Sequence, residues 1–321
     1  MRALPLLRLV TTALAVSLAA LTAWVALSPT DGALAEYAAF QPRLVPPRWA
    51  PPDWLPDSED LWALEQMGGA ARARSPRLRS TAAFVFDVDE GAVLLERNAD
   101  VVVPVASITK FVSALAMVST EHDLDRTICI GPEHYPTRSG AFSKLSTGDC
   151  IQGWDALGAA LVASDNRGAY ALASAAGLGV DDLVDRMNEV SVDLGMSLSS
   201  WTDPSGLEDE NLSTARDIAR ATLAVATEPV LSEVASAPFW DVHYTDRPTR
   251  RRHSTNRLAE RSDLEVLAAK TGYTDTAGYC YSTAVRLASG RRVVITLLGA
   301  HRNRDRWADV NTLLRWIEAQ G

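Results

Sequence analysis

The chain has 321 residues, 47% of them apolar, enough for a substantial buried core and against wholesale disorder. Thirty-one Lys and Arg against 40 Asp and Glu leave a formal charge of −9, which argues against a nucleic-acid binder built on phosphate contacts. Three cysteines are too few for a disulfide scaffold and five histidines show no metal-ligand spacing, so no metal, nucleotide or organic cofactor is expected.

Arg2 and Arg8 precede a segment, Leu9 to Thr30, without a charged residue. At 1.5 Å per residue its apolar part, Leu9 to Leu27, reaches across a bilayer core of roughly 30 Å, and the basic residues ahead of it direct the remainder outward. Ala33-Leu34-Ala35 offers a small-residue cleavage site. Residues 1–35 therefore read as a membrane anchor or a signal peptide, the length leaning to the anchor, and the folded part lies beyond the cytoplasmic membrane. Pro42, Pro46, Pro47, Pro51, Pro52 and Pro56 favour extended polyproline II, making residues 36–76 a semi-rigid linker. Residues 77–321 amount to one domain's worth of chain.

Thr81–Val88 is rich in strand formers and runs into Asp89-Glu90-Gly91, a hairpin turn, after which Ala92–Glu96 returns. The spacing of Ile108, Phe111, Val112 and Leu115 predicts a helix. Cys129 and Cys150 sit in segments that read as short neighbouring strands; outside the cytoplasm a disulfide between them and two unpaired thiols both stand open. Trp154–Val162 and Asp181–Leu194 also predict helices, the latter with Leu183, Val184, Met187 and Val190 as its stripe. Thr214 with Asp217 predicts a capping box opening a helix through Ile218 and Leu223. Arg247-Pro248-Thr249-Arg250-Arg251-Arg252 is the one basic run and reads as a solvated loop, with contact to an anionic polymer as the functional alternative. Leu264–Thr271, Tyr281–Leu287 and Arg292–Leu298 predict strands, the last two a hairpin across Ser289-Gly290, and Asp305–Ala319 a closing helix. Strands at both ends with helices between imply a sheet assembled from distant segments plus an inserted helical region.

Of the basic residues only three are lysines, Lys110, Lys144 and Lys270, so their positions carry information. Ser107 and Lys110 lie three apart at a helix start, on one face and about a turn apart. A serine hydroxyl needs a base to become a nucleophile. A desolvated Lys can supply it because burial lowers its pKa, whereas Arg stays protonated. The helix N-terminus directs N–H groups at a developing oxyanion. Ser164-Asp165-Asn166 follows a predicted helix; its hydroxyl and amide could relay a proton and bind a substrate amide, or make an Asx turn or helix cap. Lys270-Thr271-Gly272 ends an apolar strand, where Gly allows close approach to the backbone and Lys and Thr suit a carboxylate. Each triplet alone has a bland reading; the three in this order, holding two of three lysines, do not arise easily by chance.

At these residues the chain resembles the low-molecular-mass penicillin-binding proteins, serine D-Ala-D-Ala carboxypeptidases. The resemblance runs from about Ala82 to Glu318. It is carried by Val103-Pro104-Val105-Ala106-Ser107-Ile108-Thr109-Lys110, Ser139 to Asp149, Met187-Asn188, Leu194-Gly195-Met196, Asp203-Pro204-Ser205-Gly206-Leu207, Ser213-Thr214-Ala215-Arg216-Asp217, and Lys270-Thr271-Gly272-Tyr273-Thr274 followed by Ala277-Gly278-Tyr279-Cys280. It implies an α/β (α+β) fold like that of β-lactamases and transpeptidases, a five-stranded antiparallel sheet flanked by helices with a helical subdomain. It also implies a hydrolase that binds peptidoglycan stem peptides ending in D-Ala-D-Ala, works through an acyl-enzyme, and is inhibited by β-lactams.

Carried over by position, the resemblance makes Ser107 the nucleophile, Lys110 its base and Ser164 a proton relay. Asn166 would hold the substrate amide, Lys270, Thr271 and Gly272 would meet the terminal carboxylate, and the N–H groups of Ser107 and Tyr273 would form the oxyanion hole. Arg306 matches a family arginine that meets the same carboxylate, a plain surface Arg being the alternative. Two departures stand out. Asp165 replaces the usual Gly and resembles the class A β-lactamase form, but no Asn here has a Glu four residues before it, which puts a β-lactamase behind. Arg167-Gly168 replaces the common Asp-Ala and sets a bulky cation beside the motif, where it could alter substrate choice. Ser254-Thr255-Asn256-Arg257-Leu258, Trp307-Ala308-Asp309 and the lack of a β-rich second domain resemble the D-alanyl-D-alanine endopeptidase branch, which cuts cross-links. A wall-binding module without turnover is the remaining alternative.

Overall fold

The computed structural model describes residues 75–136 and 143–320. The anchor or signal segment, nearly all of the Pro-rich linker, and residues 139–142 of the loop before the second motif lie outside the described residues. Among the described residues no helix is long and apolar enough to cross a membrane.

Strands β1 (Ala82–Asp87) and β2 (Ala92–Arg97) form the predicted hairpin, followed by the two-residue β3 (Val103–Pro104) and a short 3-10 turn at Ala106–Ile108. Helix α1 (Thr109–Val118) comes next, then β4 (Thr127–Cys129) and β5 (Cys150–Gln152). The helical region holds α2 (Gly153–Leu161), α3 (Asn166–Ala175) and α4 (Val180–Asp193). After β6 (Leu212–Ser213) come α5 (Ala215–Thr227), α6 (Pro229–Ser236) and a ribbon of β7 (Phe239–Val242) and β8 (Arg250–His253). The chain closes with β9 (Leu264–Thr274), β10 (Gly278–Leu287), β11 (Arg292–Ala300) and α7 (Asn303–Glu318).

The main sheet runs β2-β1-β11-β10-β9, all antiparallel, so the first and last strands of the described residues meet at its centre, where Ala82 faces Leu298. Strand period two separates its faces. Ala82, Phe84 and Phe86 face the larger core with α1 to α6, while Ala83 and Val85 join Tyr281, Val293, Ile295 and Leu297 under α7. That helix lays Trp307, Val310, Leu314 and Ile317 on the sheet, a stripe at helical spacing. The expected five-stranded antiparallel sheet and helical region are both present.

Several local features differ from the sequence-based expectation. The stripe predicted on α1 is an understatement: Thr109 through Met117 are all buried, so α1 is a central helix. Helices α3 and α6 are additions to the elements predicted from the sequence. In α3 the packing face is alanine, and Gly168 sits where a Cβ would be 3.0 Å from the Ala156 carbonyl and the Ala160 nitrogen, so that α2 and α3 pack backbone to backbone. The capping box at α5 is half made. Thr214 accepts the Asp217 N–H at 3.1 Å, but the Asp217 carboxylate does not return to the cap and instead takes Leu198 N–H, the Ser199 hydroxyl and Arg220. The basic run is not a loop throughout, since Arg250–His253 is β8, paired with β7. Cys129 and Cys150 lie opposite each other on β4 and β5 and are joined as a disulfide.

Candidate active site

Lys110 is the first charged side chain of the buried helix α1 and is itself 0% exposed. Its ammonium nitrogen lies 2.8 Å from Ser107 Oγ, 2.9 Å from Asn166 Oδ1 and 2.6 Å from the Ser205 carbonyl. Burial pushes it down to about 8, a fall limited by the carboxylates of Asp203 and Asp165. An amine with that value is neutral often enough near neutrality to take a proton, the property a serine nucleophile needs.

The nucleophile segment is held in an uncommon shape. Ala106 has φ 51°, the left-handed region, so Ser107 is presented after a sharp turn. Gly206, at φ 79°, makes room for it: a Cβ there would fall 2.0 Å from the Ala106 carbonyl oxygen. The 203–211 loop carrying Gly206 is organised around the buried Asp203 carboxylate, which accepts from Gly206 N–H at 3.0 Å, Glu208 N–H at 2.8 Å and the Asn211 amide at 2.6 Å. Gly272 does the same from β9, where a Cβ would be 2.9 Å from the Val105 carbonyl and 3.1 Å from Ser107 N. The glycine of the third motif thus admits the nucleophile's own backbone, a closer fit than the ligand approach expected for it.

Lys270 projects from β9, also 0% exposed, and donates to Ser164 Oγ at 2.8 Å and to the Thr271 carbonyl at 3.0 Å. Burial drives it well below the ordinary lysine value, and the cations of Lys110 and Arg306 push in the same direction. Ser164 is a second non-glycine residue in the left-handed region, at φ 58°. The second motif is therefore a strained turn running into a helix, with Asn166 as the first residue of α3 and Asp165 as its N-cap. The three triplets converge through Ser107–Lys110–Asn166 on one side and Ser164–Lys270 on the other.

The departures at 165 and 167 find a structural use. Asp165 accepts the Gly168 N–H at 3.1 Å and the Lys144 N–H at 2.6 Å, together with the Ser143 hydroxyl. Arg167 bonds the Leu145 carbonyl and lies 4.0 Å over the Tyr135 ring. Both residues fasten the 143–145 segment to α3. Arg306 is buried, which removes the surface alternative, and its guanidinium donates to the carbonyls of Gly272 at 3.2 Å and Cys280 at 2.9 Å and to Asn303 Oδ1 at 2.8 Å. It braces β9 and β10 from behind. Trp307 and Asp309 are structural as well: Trp307 packs on Tyr281, and Asp309 takes the Ser80 N–H and hydroxyl at 2.7 and 2.8 Å. Tyr273 is exposed and stacked on Tyr279.

Two residues at the site stand in the sequence only as parts of the motifs that carry the resemblance. Ser205 gives Lys110 its shortest hydrogen bond through a carbonyl, which any residue type could offer, so its identity carries no signal. Thr255 meets Thr271 hydroxyl to hydroxyl at 2.6 Å. Its sequence signal was nothing more than a hydroxyl residue ahead of a strand.

Residues 69–302 match the family described as D-alanyl-D-alanine carboxypeptidase. The D-alanyl-D-alanine endopeptidase of Pseudomonas aeruginosa is 34% identical over 244 residues, covering 75% of this chain and 78% of the relative. A D-alanyl-D-alanine carboxypeptidase structure from Mycobacterium tuberculosis aligns with a TM-score of 0.70 at 27% identity, covering 78% of this chain and 95% of that one. Penicillin-binding protein D2 of Listeria monocytogenes, solved in a cefotaxime-bound form, aligns at 0.66 and 28% identity over 76% of this chain and 99% of its own.

Proposed function

We propose, for a chain that belongs to the D-alanyl-D-alanine carboxypeptidase family, a division of labour among the residues gathered around Ser107. The protein is a serine-type D-Ala-D-Ala carboxypeptidase, a penicillin-binding hydrolase of peptidoglycan peptides that acts outside the cytoplasm. Ser107 Oγ attacks the carbonyl carbon of the penultimate D-Ala while Lys110, as the free amine, takes the hydroxyl proton. The N–H groups of Ser107 and Tyr273 receive the oxyanion. Asn166 holds Lys110 on one side and the substrate amide on the other.

Collapse of the tetrahedral species breaks the C–N bond, and the leaving amine gains its proton through Ser164. Lys270 and Thr271 receive the carboxylate of the departing D-Ala. That carboxylate favours the ammonium form of Lys270, which burial otherwise resists. Water, deprotonated by the same amine, then hydrolyses the Ser107 ester. A β-lactam acylates Ser107 by the same route and stays. The apolar run Leu9–Leu27 is the candidate means of holding the enzyme at the outer face of the membrane.

The observation that carries this reading is the 2.8 Å contact between Ser107 and a fully buried lysine whose proton affinity is lowered to about 8. Labelling by a fluorescent penicillin and release of D-Ala from a pentapeptide test it. Both are expected in the wild type and absent in Ser107→Ala; labelling that survives the substitution would transfer the nucleophile elsewhere. A second reading has its own support, the 34% identity to an endopeptidase. In it the same acyl-enzyme forms, but the leaving amine belongs to the diamino acid of a cross-link. Cleavage of a cross-linked dimer is its measurement.

A further inference from the structure

The strand that leads to Thr255 carries the chain's one basic run, and the reaction above makes no use of it. The ribbon of β7 and β8 is firmly seated. Trp240 donates its indole N–H to the Asp155 carboxylate at 3.1 Å, His243 N–H donates to it at 3.0 Å, and Gly158 leaves room for the Trp240 ring. Thr245 N–H bonds the carbonyl of disulfide-linked Cys150 at 3.0 Å. Within this ribbon and its base, Asp241 takes Arg251 and Asp149 takes Arg247. Arg250, Arg252 and Lys144 have no carboxylate partner among the described residues. Arg252 lies against the Tyr244 hydroxyl at 3.1 Å and the Lys144 carbonyl at 3.5 Å, which puts it on the rim made by the 143–145 segment.

Three residues further on, Thr255 touches Thr271, and its N–H bonds the Val162 carbonyl at 3.1 Å, two residues before Ser164. The basic stripe therefore runs into the place where the carboxylate of the leaving residue is received. The other flank has the opposite sign. Glu208, Asp209 and Glu210 lie there, with Asp209 accepting from Thr276 at 2.9 Å, and Asp275 follows Tyr273 and takes its hydroxyl.

We propose that β8, through Arg250 and Arg252, together with Lys144, forms a subsite for the anionic leaving peptide of a cross-linked substrate. The proposal rests on the endopeptidase reading and deepens it. When the leaving residue is free D-Ala, its carboxylate at Thr271 is the end of the ligand. In a cross-link the leaving centre continues through its side chain into a neighbouring stem peptide, whose free carboxylates must lie beyond Thr271. One way out meets Arg252 and Arg250; the other meets Glu208, Asp209 and Asp275. Coulomb interaction favours the first and disfavours the second.

The test compares substrates across one variant, Arg250→Glu/Arg252→Glu. Its kcat/KM for a cross-linked peptide dimer is expected to fall about tenfold or more, while D-Ala release from a pentapeptide and penicillin labelling stay within about twofold. Raising the salt should slow the wild type on the dimer and, by screening the repulsion from the new carboxylates, speed the variant. A dimer whose leaving stem is amidated at its other carboxylates should be cleaved by the wild type more slowly than the acid dimer, and should lose less than the acid dimer does on going to the variant. Equal losses on dimer and pentapeptide, or none on the dimer, would overturn the subsite while leaving the endopeptidase reading intact. A wild type that releases D-Ala but leaves the dimer whole would overturn that reading and the subsite with it. Loss of retention on an anionic wall polymer with dimer cleavage unchanged would give the strand to a polymer and also overturn the proposal.

Discussion

On one side of Ser107 the wall is made of α1, β9 and the 203–211 loop; on the other it is made of the 143–149 segment and the β7–β8 ribbon. The first wall is closed. Its lysines are buried, its central carboxylate at Asp203 is saturated with donors, and its glycines sit where no side chain fits. The second is more open, with half-buried cations lying on a carbonyl, a ring and a tyrosine hydroxyl. Groups that must move a proton have been taken out of water and fixed, where low dielectric shifts their affinities. Groups that meet a variable partner stay in water, where an exchange of one for another costs little. Changes in the closed wall should therefore abolish chemistry, and changes in the open one should redistribute it among substrates.

The largest effect is expected at Lys110. Arg in its place keeps the charge but cannot give up a proton, so penicillin acylation should fall about a thousandfold or more. In the wild type the acylation rate should climb with pH and level off above about 8, because the base works in its neutral form and burial holds that transition near 8. Stopped-flow acylation between pH 6 and roughly 9.5 reads both. An Arg variant with near wild-type rates, or a flat profile, would break the contrast between the walls at its strongest point.

Gly206→Ala probes the same wall without touching a reactive group. The methyl would strain a φ of 79° and collide with the Ala106 carbonyl. Together these cost about 2–5 kcal/mol, taken from the shape of the nucleophile turn. Acylation should drop by about a hundredfold with circular dichroism little changed. An equal insertion at Gly91, whose added Cβ meets nothing within 4 Å, should leave acylation unaltered.

What could be read from the sequence follows the same division. Helix α7 announces itself because burial against the sheet imposes a period on its residues, and α1 and strands β1, β9, β10 and β11 because a fully buried element is a run of apolar residues. The three triplets were legible for a different reason: two of three lysines fall inside them, and scarcity makes position informative. Asp203, Ser205 and Gly206 were not legible as site residues, since a carbonyl 95 positions from its lysine leaves no mark on residue type. Helix α3 stayed hidden because close backbone packing is made with Ala and Gly, which leave no stripe of large apolar residues for periodicity to show. Arg306 could not be decided either, since a buried arginine satisfied by carbonyls and a solvated one have the same neighbours in sequence.

The disulfide belongs to the open wall and gives a smaller effect of another kind. It joins residues 21 apart at the foot of the β4–β5 pair, on which the basic ribbon rests. A loop of that size is worth about 3 kcal/mol, mainly by restricting the unfolded chain. Cys129→Ser/Cys150→Ser should lower the denaturation midpoint by that equivalent and leave penicillin acylation within about twofold. If acylation falls instead with stability, the two walls are mechanically one.

The smallest expected effect, at Asp165, decides how the walls communicate, because this residue caps α3 and also acts electrically on Lys110. Asp165→Ala removes the acceptor for Gly168 N–H and the tie to Ser143 and Lys144, costing about 1 kcal/mol, typical of a lost N-cap. Asn can still cap, so Asp165→Asn should recover most of that stability. What Asn cannot recover is charge. The carboxylate holds Lys110 higher than burial alone would. With it gone the ascending limb of the acylation profile should move to lower pH in both variants, although only Ala loses stability. A limb that stays in place in Asn would mean the carboxylate is felt at Lys110 solely through the position of α3, and the open wall would then reach the base through packing rather than through the field.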